Sequence, residues 1–307
     1  MQITIAAGKG GVGKSTVAAG LALNFANVGE KTAIVSYDGR SIKRLMGIED
    51  EAPANTLVQI GPSLFVTVVG KTKYMGIQDS QKTGKPIGQY LAQFPADLGI
   101  LPFADMVRFF FGVPADPVLL EKFIRLVMML INLEKQGYIN VVIDVEPNTG
   151  LADMLSNATA TMRSLSNLKN YGRLKLAAIG AAWPDIAAYI DGSYIQSIHE
   201  YCDNIERAVH LMRHATYLLV CTPLKEAVVQ TGEVRETIEE FGGGVHGYVV
   251  NEVRGASYEA ANIALLSKRA AIVKIAYRPE LHEEGSDHLL TLRLIGRAVS
   301  PLVWNGR

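Results

Sequence analysis

Short, mostly apolar runs separated by longer amphipathic stretches recur along the whole chain. Residues 3–7 (ITIAA) are closed by Gly8, and 32–37, 138–144, 217–222 and 246–251 repeat the pattern, with 271–276 a sixth, less apolar run. Runs this short that do not alternate with polar residues predict strands buried on both faces. Residues 15–28, 117–136, 226–241 and 286–299 carry the longer spacing of helices, and Gly29 is placed to stop the first of them. Strands alternating with helices predict a doubly wound α/β fold, its sheet mostly parallel and its crossovers right-handed. The stretch 150–214 is too long for one crossover and predicts an added helical layer. Residues 70–86, rich in Gly and Lys, read as a mobile loop. With no linker in view, 1–307 is expected to be one domain, with a helical subregion around 100–135 and 150–214.

Composition narrows the classes. At 49% apolar and 20% charged the chain reads as globular. Thirty basic residues balance thirty acidic ones, so no global field draws it to nucleic acid, and no nucleic-acid partner is expected. Cys202 and Cys221 are far apart, without a CxxC or a Cys/His cluster, which fits a reducing, cytoplasmic setting and offers no metal or disulfide framework.

The chemistry starts after the first run. Gly8-Lys9-Gly10-Gly11-Val12-Gly13-Lys14-Ser15, followed by Thr16, fits GxxxxGK[ST] between a strand and a helix, where a phosphate-binding loop belongs. Its glycines let backbone N–H groups turn toward a phosphate, and the helix N-terminus adds a favourable field. Lys14 is then expected to reach the β- and γ-phosphates of ATP, and Ser15 to ligate Mg²⁺. The fold expectation becomes a P-loop NTPase.

Other strand ends supply candidates. Asp38, ahead of Gly39, is placed to activate the attacking water and to approach the metal; it or Ser41 also fits as a helix cap. Asp144 closes INVVID as a carboxylate holding Mg²⁺ should, and 145–150 (VEPNTG) would form a second switch. Asn251 ends YVVN with an amide able to pair with an adenine edge, or simply to satisfy local backbone.

GKGGVGKS carries a second lysine, Lys9, and in this it resembles the deviant Walker ATPases. SYDGRSIKRLMG, VVIDVEPNTGLADML, VCTPLKEAVVQTGEVRETIEEFG with YVVNEV, and AYRPELHEEG resemble the switch, adenine-side and C-terminal segments of the arsenite-pump and tail-anchored-protein targeting branch. That resemblance implies a homodimer in which Lys9 reaches the partner's nucleotide, Asp38 serves water activation, Asp144 magnesium and Asn251 adenine. It also implies Glu233 as a further nucleotide contact. The function expected is an Mg²⁺-dependent ATPase whose dimer opens and closes around a hydrophobic client such as a transmembrane tail, delivered to a membrane receptor. The apolar stretches 103–133 and 174–190 would form the client groove, unless they are ordinary core. A positioning switch of the partition or septum-site type, or an ATP-sensing scaffold that does not hydrolyse, are the alternatives.

The chain departs from that branch in several places. It lacks both the CxxC pair that holds targeting dimers through zinc and the cysteine triad that binds arsenite. Gly39 replaces the usual proline after Asp38, and Glu146 enters the second switch, so hydrolysis is expected to be slow or differently gated.

Overall fold

The computed structural model describes residues 1–37, 39–48, 55–69, 117–145, 151–152, 154–156, 158–159, 162, 192–267, 270–281 and 288–304, with backbone alone at 117–122, 124, 192–202, 267 and 304. The expected loop at 70–86, the apolar stretches at 103–116 and 174–190, Asp38 and the switch residues 146–150 lie outside the described residues.

Two compact units divide the chain. One comprises Met1–Gly70, Met129–Leu155 and His210–Arg307 and holds the entire sheet; the other comprises Lys71–Met128 and Ser156–Val209, and every described residue in it is helical.

In chain order the elements are β1 (Gln2–Ala7), α1 (Lys14–Asn27), β2 (Thr32–Ser36), α2 (Arg40–Met46), β3 (Val58–Gly61), β4 (Leu64–Val68), α3 (Pro117–Lys135) and β5 (Asn140–Asp144). There follow α4 (Gly192–Arg213), β6 (Thr216–Cys221), α5 (Lys225–Phe241), β7 (Gly244–Val253), α6 (Ser257–Ser267), β8 (Ala271–Ala276), a 3₁₀ turn (Pro279–Leu281), α7 (His288–Val299) and α8 (Pro301–Trp304). The sheet has eight strands in the order β3-β4-β2-β5-β1-β6-β7-β8, and every pair but β3–β4 is parallel. This is the doubly wound, mostly parallel α/β sheet that the alternation predicts.

The central strands β2, β5 and β6 are buried at every residue, whereas β8 at the edge is buried only at Ile275. Continuous apolar runs therefore mark the strands covered on both faces. The antiparallel β3–β4 hairpin at the far edge was not expected from the sequence. Its strands are short, and Pro62-Ser63 between them reads as an ordinary loop.

α1 carries almost no polar stripe, and residues Val17 through Phe25 are buried in the layer over β1 and β5. It also meets α7 at unusually close range. A Cβ on Gly296 would lie 1.9 Å from the Gly20 carbonyl oxygen, and one on Gly20 would lie 2.6 Å from that of Leu292. Glycines on both helices thus let the backbones touch, fixing the helix that begins at Lys14.

Candidate functional site

In a parallel sheet all strands point one way, so the residues after β1, β2, β5 and β7 share one edge. Ligands of open α/β sheets bind at this edge. Register decides which side chains meet there: Asp144 pairs with Ala6 on one side and Ser36 on the other.

The loop between β1 and α1 is shaped by its glycines. Gly8 has φ +150, and a Cβ there would fall 2.1 Å from the Val220 carbonyl oxygen, so the chain can leave β1 across the end of β6 only without a side chain. Gly13 has φ +94 and leads into α1, whose first residue is Lys14. A left-handed residue before a helix turns successive N–H groups into one concavity, an arrangement that suits a phosphate. Lys14 is buried, and its Nζ donates to the Lys9 carbonyl oxygen at 2.8 Å, lying along the loop it belongs to.

Ser15 and Asp144 meet across the strand ends. The Ser15 hydroxyl donates to both carboxylate oxygens of Asp144, at 3.1 and 2.9 Å. The Ser36 hydroxyl donates to Oδ2 at 3.0 Å and itself accepts the Gly39 N–H at 3.1 Å. Asp144 is 1% exposed, and a carboxylate so buried stays charged only when hydrogen-bonded or paired. One continuous path of bonds runs from the first turn of α1, through β5 and β2, to the residue after Asp38. Asp38 itself lies outside the described residues, but Tyr37 before it donates its N–H to the Asp144 carbonyl oxygen at 3.0 Å. The cap of α2 is Gly39, with no side-chain bond, and Ser41 turns instead to the cleft.

A cleft of about 280 Å³ opens over the loop. Gly11, Gly13, Lys14, Ser15 and Thr16 line its floor, with Val145 beside them. Ser41, Arg44 and Leu45 of α2 form one wall; Asn251, Glu252, Tyr277, Arg278 and Leu281 form the other. Asn251 donates its Nδ2 to the Val12 carbonyl oxygen at 3.0 Å. Tyr277 is held to β7 by its N–H bonding the Val253 carbonyl oxygen at 3.1 Å, and the Arg254 guanidinium lies 4.0 Å from its ring centroid. The Nε of Arg278 is buried without a hydrogen-bond partner among the described residues.

The structure thus brings Lys14, Ser15, Thr16, Asp144 and Asn251 to one place. Lys9 is exposed on the loop, and Gly8, Gly10 and Val12 shape it from behind. Glu233, exposed midway along α5, does not line the cleft. Sequence reading missed Ser36, Arg44 and Leu281 as individuals. A serine ending an otherwise apolar strand was the available signal for Ser36.

These residues fit a magnesium nucleotide. Mg²⁺ prefers few protein oxygens beside phosphate and water, and a hydroxyl next to a carboxylate supplies them. Among the described residues no cluster of three or more His, Cys, Asp or Glu offers a different metal site. No described helix is long and apolar enough to cross a membrane.

Comparison with known proteins agrees with this geometry. Residues 1–83 match the ParA family profile described as NUBPL iron-transfer P-loop NTPase. The chain is 53% identical over 51 residues to the cytosolic Fe-S cluster assembly factor NUBP2 homolog of Trichoplax adhaerens, and 44% identical over 52 residues to that of Dictyostelium discoideum. Those matches cover 16% of this chain and only 19% and 20% of the relatives' own lengths. ATPase ASNA1 homolog 1 of Paramecium tetraurelia is 18% identical over 275 residues, covering 80% of this chain and 73% of that protein. The chain carries a P-loop NTPase fold.

Proposed function

We propose that the protein is an Mg²⁺-dependent ATPase whose nucleotide state opens and closes a homodimer around a hydrophobic client such as a transmembrane tail. The observation that carries the ATPase reading is the bonded path Ser15–Asp144–Ser36–Gly39. It links the phosphate loop to the segment that bears Asp38, so a change at the phosphates is felt at that segment.

Each residue then has a task. The loop amides and Lys14 hold the β- and γ-phosphates, Lys14 swinging its ammonium off the Lys9 carbonyl to do so. Ser15 and Asp144 hold Mg²⁺, which neutralises phosphate charge when bound. Asp38 orients the attacking water and takes its proton. Lys9, exposed on the loop, reaches the partner's nucleotide in the closed dimer. Asn251 faces the adenine. Magnesium-dependent phosphate release from ATP, lost in Lys14→Ala, is the expected result; no release by the wild type leaves an ATP-sensing scaffold.

The client part rests on the motif resemblance and on the apolar stretches at 103–133 and 174–190, and is in keeping with the long alignment to the ASNA1 homolog. An ATP-dependent pull-down comparing a tail-anchored protein with its tail-less version tests it; equal recovery of the two ends it.

The names of the NUBP2 relatives raise iron–sulfur assembly as a competing reading, favoured by the 53% identity over 51 residues. Cluster binding needs cysteine thiolates. Cys221 is buried, and that burial pushes its thiol up to about 11, leaving Cys202 as the other candidate. Iron and sulfide reconstitution yielding a visible absorption band would favour this second reading.

A further inference from the structure

We propose that Asn251 is a positioning residue for the phosphate loop, acting on the phosphates through Val12, whatever base the nucleotide carries. This rests on the nucleotide-binding reading above and adds to the adenine contact a task that needs no base.

A loop that turns its N–H groups inward must turn carbonyls outward, and each buried carbonyl then requires a donor. Val12 is 4% exposed, and its carbonyl receives the Asn251 Nδ2 at 3.0 Å from 239 residues away in sequence. The next residue is shaped to admit that amide. A Cβ on Gly13 would lie 2.2 Å from Nδ2, so glycine here serves both the positive φ and the approach of Asn251.

Asn251 lies at a break in the strand pairing. It follows Val250 near the end of β7, which is parallel to β6 on one side and β8 on the other, and the β8 register shifts between Val250 and Val253. Glu252, next in line, adopts φ +61, a conformation uncommon for a side chain of that size. The kink sits where the strand leaves its ladder and lines the cleft.

The direction of the bond has a consequence. A carbonyl accepts only from a donor, so Nδ2 faces Val12 and Oδ1 is left as the acceptor for a ligand. Base recognition through Oδ1 and loop support through Nδ2 are therefore separable.

A ligand without a base separates them. Calorimetry with ATP and with inorganic tripolyphosphate, both with Mg²⁺, is run on the wild type and Asn251→Ala, alongside amide hydrogen exchange of residues 9–14 without ligand. Removing the tie should weaken tripolyphosphate by about 3- to 10-fold, weaken ATP by at least as much because the base contact through Oδ1 goes with it, and speed exchange across the loop. A loss confined to ATP overturns the proposal and leaves Asn251 a base reader. No loss with either ligand, or unchanged exchange, also overturns it. A thermal melt checks that the variant folds; should it not, Asn251→Ser takes its place. If the wild type binds neither ligand, the nucleotide reading fails instead, and the exchange comparison alone decides whether the tie exists.

Discussion

The two ends of the cleft are built differently. At the phosphate end, Ser15, Asp144 and Ser36 come from α1, β5 and β2, elements whose relative register is fixed by adjacent central strands. The side chains of Lys14, Ser15, Asp144 and Ser36 are all hydrogen-bonded there, and α1 is clamped from behind by the Gly20–Gly296 approach. At the other end, Tyr277, Arg278 and Leu281 follow the edge strand β8 and continue into a 3₁₀ turn, and Arg278 Nε has no hydrogen-bond partner among the described residues. One end is arranged before any ligand arrives; the other has capacity left over. Preorganisation lowers the cost of binding, so the phosphates should dominate affinity and the nucleoside should tune it.

Mutations can break this contrast. The largest loss is expected for Lys14→Ala, which removes the one buried ammonium of the loop: ATP affinity should drop by about 100-fold or more in calorimetry. Asp144→Ala should come next. It leaves the Ser15 and Ser36 hydroxyls without their acceptor, and about a 10- to 100-fold loss with Mg²⁺ should shrink when the titration is repeated in a chelator. At the nucleoside end the expected effect is smaller. Arg278→Ala should cost ATP about 3- to 10-fold while leaving tripolyphosphate unchanged, whereas an equal loss for both would erase the distinction between the ends.

The smallest effect probes the dry floor behind the loop. Cys221 follows Val220, whose carbonyl Gly8 crosses, and burial raises its thiol from 9.0 to about 11. A raised thiol stabilises the fold fully below pH 9 and ceases to do so as pH rises through about 11. Urea midpoints of wild type and Cys221→Ala should therefore converge between pH 9 and 11. Native Cys221 should also resist alkylation at pH 8.

How far the sequence could be read follows the same division. Gly8 through Ser15 is a contiguous motif in which every residue has a spacing-defined task, and Asp144 was legible because a charged residue closing an apolar run stands out. The structure places these residues together. Asn251 was visible as a strand-end amide, yet its bond to Val12 joins residues 239 apart, which no local pattern reveals. Ser36 was hidden because one serine scarcely alters an apolar strand. Arg44 and Leu281 were hidden for a different reason: each meets the cleft only through the packing of a short helix or a single 3₁₀ turn, elements with too few residues to show a period. The β3–β4 hairpin escaped for the same reason.

The most direct measurement is an isothermal titration of ATP into the wild-type protein, once with Mg²⁺ and once with a chelator. A loop tied to Asp144 through Ser15 predicts a saturable heat with the metal and markedly weaker binding without it. No heat in either titration would contradict the assignment of residues 8–16 as a phosphate grip.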